Sequence, residues 1–232
     1  MKICWFQTKH IIKVLPDYIH FTVLRFAWNG ALDDAFRIYD VPVPRRLASA
    51  TKQRQAEYLA GRIGAQKLLQ HFDITLRAPL MADNRAPSWP SSYRGAISHD
   101  RDFASAAVIK MHYGRVGIDI ESLSPKIALN TISQRIASAR EIDTLITTSD
   151  LLLDHILLLL FSAKESAYKA FPREHQQHLD FHSFELRDID PHLQQFTFSL
   201  THTLNHEYEA GFSVKGWYEF LENRVLTLVH LH

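Results

Sequence analysis

The sequence predicts an α+β fold of two similar halves, a pseudo-dimeric single chain in which each half sets a small antiparallel sheet on one long helix. Helical residue runs cover residues 48–72 and 130–171, and strand-like runs flank both. A chain of 232 residues, 46% hydrophobic and 22% charged, is long enough for one large domain or two small ones around a sizeable core. The halves are expected at residues 1–115 and 116–232.

The elements follow in order. Residues 19–26 alternate as a half-buried strand does, and a proline-rich loop follows at Val41-Pro42-Val43-Pro44. Over residues 48–72 the pattern suits a helix with Ser49 or Thr51 as N-cap, carrying Arg54, Tyr58, Ala60-Gly61-Arg62 and Lys67. Residues 77–95 hold Pro79, Asn84, Pro87, Pro90 and Gly95. They read as an ordered loop, because Trp89 and Tyr93 within it need burial. Two strands are expected over 103–110 and 115–121, joined as a hairpin by His112-Tyr113-Gly114. The helical region from 130 stops at Phe171, since Pro172 cannot continue it. Residues 181–186, 195–201, 210–220 and 224–231 read as strands.

Composition removes several functions. With 26 basic and 25 acidic residues the net charge is +1, so no global field favours nucleic acid or an anionic membrane. The single cysteine, Cys4, excludes an intramolecular disulfide and suits a reducing compartment. The start of the chain, Met1 to His10, lacks an apolar core of signal-peptide length. The most apolar stretch, residues 151–161, is interrupted by Asp154 and His155 and falls short of the roughly 20 residues that span a bilayer. A cytoplasmic protein is expected. The 14 histidines are scattered, with no His-x-x-x-His pair in the Cys- and Asp-rich setting of a zinc site.

Three segments carry chemistry. In Val116-Gly117-Ile118-Asp119-Ile120-Glu121, residues two apart on a strand share a face, so Asp119 and Glu121 project together while Ile118 and Ile120 enter the core. Paired carboxylates repel unless a cation joins them, and hard oxygen ligands at short spacing suit magnesium. Solvated acids at a strand end would give the same pattern. In Phe161-Ser162-Ala163-Lys164-Glu165-Ser166-Ala167-Tyr168-Lys169-Ala170, Glu165 and Lys169 share a helix face. That is either an ordinary surface pair or, because the preceding turns are apolar all round, a charged pair lining a cleft. In Ala96-Ile97-Ser98-His99, a serine and a histidine are available to phosphate oxygens. As strand neighbours they point to opposite faces, which disfavours a nucleophile–base pair, and no Gly-x-Ser-x-Gly elbow occurs.

Together these segments resemble the 4′-phosphopantetheinyl transferases, in which a Ser-His turn, a Gly-x-Asp-x-Glu strand and a Trp/Phe-x-x-Lys-Glu-x-x-x-Lys helix follow in this order. Arg54 with Ala60-Gly61-Arg62, and Arg85-Ala86-Pro87-Ser88-Trp89-Pro90, are similar to the enterobactin-synthase branch. The likeness covers roughly residues 50–170; Ala96 and Asp100 depart from it, and Asp100 would stand near a phosphate site. The resemblance implies a fold of two α+β halves with coenzyme A in the cleft between them, Mg²⁺ as cofactor and coenzyme A as co-substrate. On that footing Asp119, Glu121 and Glu165 hold Mg²⁺, and Lys169 contacts the phosphate near the pantetheine arm. Ser98 and His99 hold the nucleotide phosphates, and Arg54, Arg62 and Arg85 meet the 3′-phosphate or border the adenine. Lys164 joins the coenzyme A-binding set, and Glu165 is the candidate base for the acceptor serine. Implied partners are apo carrier proteins, of siderophore and nonribosomal peptide synthesis first and of fatty-acid or polyketide synthesis second, with the enzyme a monomer. A coenzyme A-binding scaffold and a Mg²⁺-dependent phosphohydrolase are the readings from other classes.

Overall fold

In this computed structural model the described residues are 1–6, 11–12, 14–28, 32–123 and 129–232, the side chains of 129–132 excepted. Of the N-terminal segment read above, residues 7–10 lie outside this description. The chain divides into two compact units, one of Met1–His10 with Pro16–Gly114 and one of Ile11–Leu15 with Arg115–His232. Each holds an antiparallel sheet packed with helices.

In the first unit the strands are β1 (Lys2–Trp5) and β2 (His20–Ala27), followed by helices α1 (Leu32–Ile38), α2 (Arg45–Ala48) and α3 (Lys52–Phe72). Two short strands, β3 (Leu80–Met81) and β4 (Pro87–Ser88), pair with each other before β5 (Tyr93–Asp100) and β6 (Phe103–Lys110). The sheet order is β1-β2-β6-β5. Thr51 caps α3 by accepting the Arg54 amide at 3.2 Å, one of the two residues the sequence offered for this role. The helix lays Ala56, Leu59, Ala60, Ile63, Ala65 and Leu69 over the sheet, all buried. The β1 strand and α1 were not anticipated. β1 is four residues at the sheet edge, and α1 is seven residues lying just before the proline loop, both too short for a periodic signal. The segment read as a loop over 77–95 contains the β3–β4 ladder, with Arg85 in its turn at φ 70.

In the second unit β7 (Arg115–Ser122) leads into α4 (Leu129–Ile136), α5 (Ala139–Thr148), α6 (Leu153–Ala170) and α7 (Arg173–Gln176). Strands β8 (Phe184–Asp190), β9 (Gln195–Leu200), β10 (Ser213–Leu221) and β11 (Arg224–Leu231) complete a sheet of order β7-β11-β10-β9-β8. The core joins α6 to this sheet: Ile156, Leu157, Leu158, Leu159 and Leu160 are each no more than 2% exposed, so this stretch of helix is buried all round. The region read as helical from 130 to 171 consists of three helices, α4, α5 and α6. A capping box of Ser138 and Glu141 starts α5, and α6 restarts after residue 152. Phe181–Ser183, read as strand, is a 3₁₀ turn ahead of β8.

The expected 103–121 hairpin does not form. β6 pairs with β2 and β5, β7 pairs with β11, and the chain passes from one to the other through a 3₁₀ turn at Met111–Tyr113 and Gly114 at φ 98. Among the described residues no single helix is long and apolar enough to cross a membrane.

Candidate active site

The predicted residues fall into two groups, one in each unit. In the second unit, β7 carries Asp119 and Glu121 and α6 carries Glu165 and Lys169. The two elements lie in close contact because position 117 is glycine. A Cβ there would stand 1.9 Å from the Ser166 carbonyl oxygen and 2.9 Å from the Ala170 nitrogen. Gly117, Asp119 and Glu121 alternate onto one face of the strand, so the helix that touches Gly117 also meets the acids.

Asp119 is only 1% exposed and is bound on both oxygens. Lys169 Nζ donates to Oδ1 at 2.5 Å, and Ser162 Oγ donates to Oδ2 at 2.8 Å. Burial alone would lower the Lys169 pKa. The charge and hydrogen bond of Asp119, with Glu165 and Glu121 adding their fields, hold it above the ordinary lysine value. Burial pushes the Glu165 carboxyl up; Lys169 opposes that rise and Asp119 adds to it. The site is therefore three carboxylates acting on one ammonium, a point where excess negative charge has gathered a cation.

The donor set fits a hard divalent cation in kind, being all-oxygen, acidic and already serving a positive charge at Asp119. Among the described residues, however, no three Asp, Glu, His or Cys side chains are gathered as a ligand group. Lys169 stands on the Asp119 oxygen instead, and a metal at Asp119 Oδ1 requires that ammonium to move aside.

Lys164 corrects an expectation. Rather than facing coenzyme A, its ammonium is fully buried, 2.8 Å from Glu141 Oε1 and 2.9 Å from Oε2, and it donates to the Ile136 carbonyl at 3.0 Å. Glu141 also accepts the Ser138 amide at 2.9 Å and the Leu186 amide at 3.0 Å. Lys164 therefore ties α6 to the end of α4, the start of α5 and strand β8. Burial lowers its pKa against the opposing pull of Glu141.

In the first unit, Arg54 on α3 contacts the His99 ring on β5, and both meet Glu57, at 3.3 Å from Arg54 Nη1 and 3.5 Å from His99 Nδ1. Glu57 was missed; it lies one turn after Arg54, and that spacing is the signal that would have found it. Ser98 is buried and His99 partly exposed, as strand alternation requires, so the two do not form a nucleophile–base pair. Arg62 is 4% exposed, its guanidinium 4.7 Å from the Tyr58 ring centroid. Its Nε has no hydrogen-bond partner, and burial lowers its pKa. Arg85 is exposed on the β3–β4 turn.

Two antiparallel sheets packed with helices, with a carboxylate–lysine cluster around buried Asp119 in one unit and an Arg–Glu–His cluster in the other, make this an α+β protein. Comparison with known families names the class. Residues 43–109 match the 4′-phosphopantetheinyl transferase N-terminal domain, and residues 115–229 match the 4′-phosphopantetheinyl transferase superfamily. A 4′-phosphopantetheinyl transferase Svp from Streptomyces mobaraensis is 30% identical over 81% of this chain and 74% of its own length. Enterobactin synthase component D from Salmonella typhimurium is 38% identical over 59% of this chain, and that from Escherichia coli K12 is 34% identical over 56%. The alignments span 58% and 61% of those two relatives, under two thirds of each. This chain belongs to the 4′-phosphopantetheinyl transferase superfamily.

Proposed function

We propose that the chain transfers the 4′-phosphopantetheine arm of coenzyme A to a serine hydroxyl of an apo carrier protein, releasing 3′,5′-ADP. The observation that carries this is the Asp119–Lys169 pair with Glu121 and Glu165 around it, in a chain of this superfamily. Breaking the diphosphate of coenzyme A leaves negative charge on the departing nucleotide, and rate depends on fixed positive charge at that point. Lys169 supplies such a charge, held cationic by the acids beside it. Mg²⁺ held by Asp119, Glu121 and Glu165 would neutralise the diphosphate further. The acceptor serine must lose a proton, and Glu165 is the candidate base; burial raises its pKa, which strengthens a carboxylate as proton acceptor. Arg54 and His99 offer donors to the phosphates of the nucleotide end, with Arg62 and Arg85 bordering it. The likeness to enterobactin synthase components favours a siderophore-type aryl or peptidyl carrier as acceptor, ahead of a fatty-acid carrier.

The test is intact mass of a panel of apo carriers after incubation with the protein, coenzyme A and Mg²⁺. The expected result is a gain of one phosphopantetheine on the carrier serine, fastest on siderophore-type domains and absent with Asp119→Ala. Coenzyme A binding without transfer to any carrier would leave a scaffold instead, and release of 3′,5′-ADP without any carrier would point to a phosphohydrolase.

A further inference from the structure

Behind Asp119 runs a buried chain of hydroxyls. Ser162 Oγ, the donor to Asp119 Oδ2, lies 2.9 Å from Thr227 Oγ1, which lies 2.7 Å from Ser166 Oγ. Ser166 Oγ also reaches the Thr227 carbonyl at 3.1 Å. Ser162, Ser166 and Thr227 are each 0% exposed. The fold places them together for plain reasons. Thr227 on β11 stands directly opposite Asp119 on β7, while Ser162 and Ser166 are one turn apart on α6 and face that strand pair.

Alanine or valine would fill these positions with no hydrogen-bond requirement, whereas buried hydroxyls must be paired. Ser162 donates to Asp119, which leaves Thr227 to donate to Ser162, and the one Ser166 proton is shared between Thr227 Oγ1 and the Thr227 carbonyl. The Ser162 and Thr227 protons then point along the chain toward the carboxylate, and each bond polarises the next. We propose that Ser162, Thr227 and Ser166 are positioning residues for the cation site. Ser162 binds Oδ2 from behind and is itself held by Thr227 and Ser166, so that Asp119 Oδ1 is the oxygen presented to the cation, now the Lys169 ammonium. This rests on the reading of Asp119 as a metal ligand given above.

The experiment measures Mn²⁺ affinity by electron paramagnetic resonance, with coenzyme A present and no carrier, so no turnover enters. Ser162→Ala and Thr227→Val should each weaken Mn²⁺ binding about 10-fold, the scale at which groups that orient a ligand act. Ser162→Thr should restore it, and the double variant should be no weaker than the worse single one, because the two hydroxyls act in series. Melting temperature without metal is recorded for every variant, since a purely structural role would lower it while leaving affinity unchanged. Wild-type affinity in a folded Ser162→Ala protein overturns the proposal, and wild-type affinity in Thr227→Val overturns it equally if the serine variant does not fold. A wild-type protein that binds no Mn²⁺, or binds it equally well as Asp119→Ala, fails the metal reading itself, which is a different outcome.

Discussion

Lys164 and Lys169 sit five positions apart on α6, and the sequence assigned both to the same ligand. An α-helix turns about 100° per residue, so five positions separate the two side chains by roughly 140°. Lys169 reaches Asp119 with its side chain still 27% exposed; Lys164 points into the core and meets Glu141. A motif that names residue types cannot carry that difference, because the partner lies 23 residues away on another helix. What was legible is the group that shares a face with Glu165; what was not is the buried pair beside it. The two partners should respond unequally to removal. Glu141→Ala strands a buried ammonium and also orphans the amides of Ser138 and Leu186, so it should cost about 3–5 kcal/mol. Lys164→Met removes a charge of similar reach and leaves Glu141 two backbone donors, so its cost should be smaller. Urea unfolding midpoints at unchanged m decide the order, and equal losses would mean the amides contribute nothing.

At the scale of elements, the runs read as strands over 103–110 and 224–231 coincide with β6 and β11, because both are short and mostly apolar, broken inside only by Ser105 in one and by Thr227 and His230 in the other. The helical stretch from 130 was divided by features with little sequence contrast. Ser138 and the 149–152 segment break it with neither glycine nor proline, and only the Ser138–Glu141 box marks a start. The contact between β7 and α6 matters most for the site, and a single missing Cβ sets it. Gly117→Ala would drive a methyl group into the Ser166 carbonyl, 1.9 Å away, and backbone on both sides cannot yield as a side chain would. The helix must back off the strand, carrying Ser162, Glu165 and Lys169 away from Asp119. About 1–3 kcal/mol of stability should be lost, as in other overpacked contacts. Transfer activity should fall further than that loss explains when assayed well below the melting temperature. Full activity in a folded Gly117→Ala protein would show that the site tolerates a wider strand–helix spacing.

Across the whole molecule, the two units repeat one internal plan. In each, a strand is followed by helices that include a long one, and that strand pairs antiparallel with the last strand of its unit, β2 with β6 and β7 with β11, the first unit adding β1 at its edge. The last strand is in turn the second arm of a hairpin, β5–β6 or β10–β11. The misread hairpin at 112–114 is the seam of this plan: β6 closes one repeat, β7 opens the next, and adjacency in sequence suggested a pairing that the sheets do not contain. The plan also puts the candidate residues for the nucleotide end in one unit and those for the metal in the other, so their effects should separate. If Arg54 and His99 bind phosphate as proposed, Arg54→Ala or His99→Ala should each weaken coenzyme A affinity by roughly 10-fold or more. The Mg²⁺ concentration for half-maximal rate should stay where it was. Glu121→Ala should do the reverse, moving the Mg²⁺ requirement upward while calorimetric binding of 3′,5′-ADP in the absence of metal is unchanged. Titrating rate against coenzyme A and Mg²⁺ in turn for the three variants measures both. If Arg54→Ala shifts the Mg²⁺ midpoint as far as Glu121→Ala does, the two clusters act on the same part of the substrate, and the assignment of nucleotide to one unit and metal to the other fails.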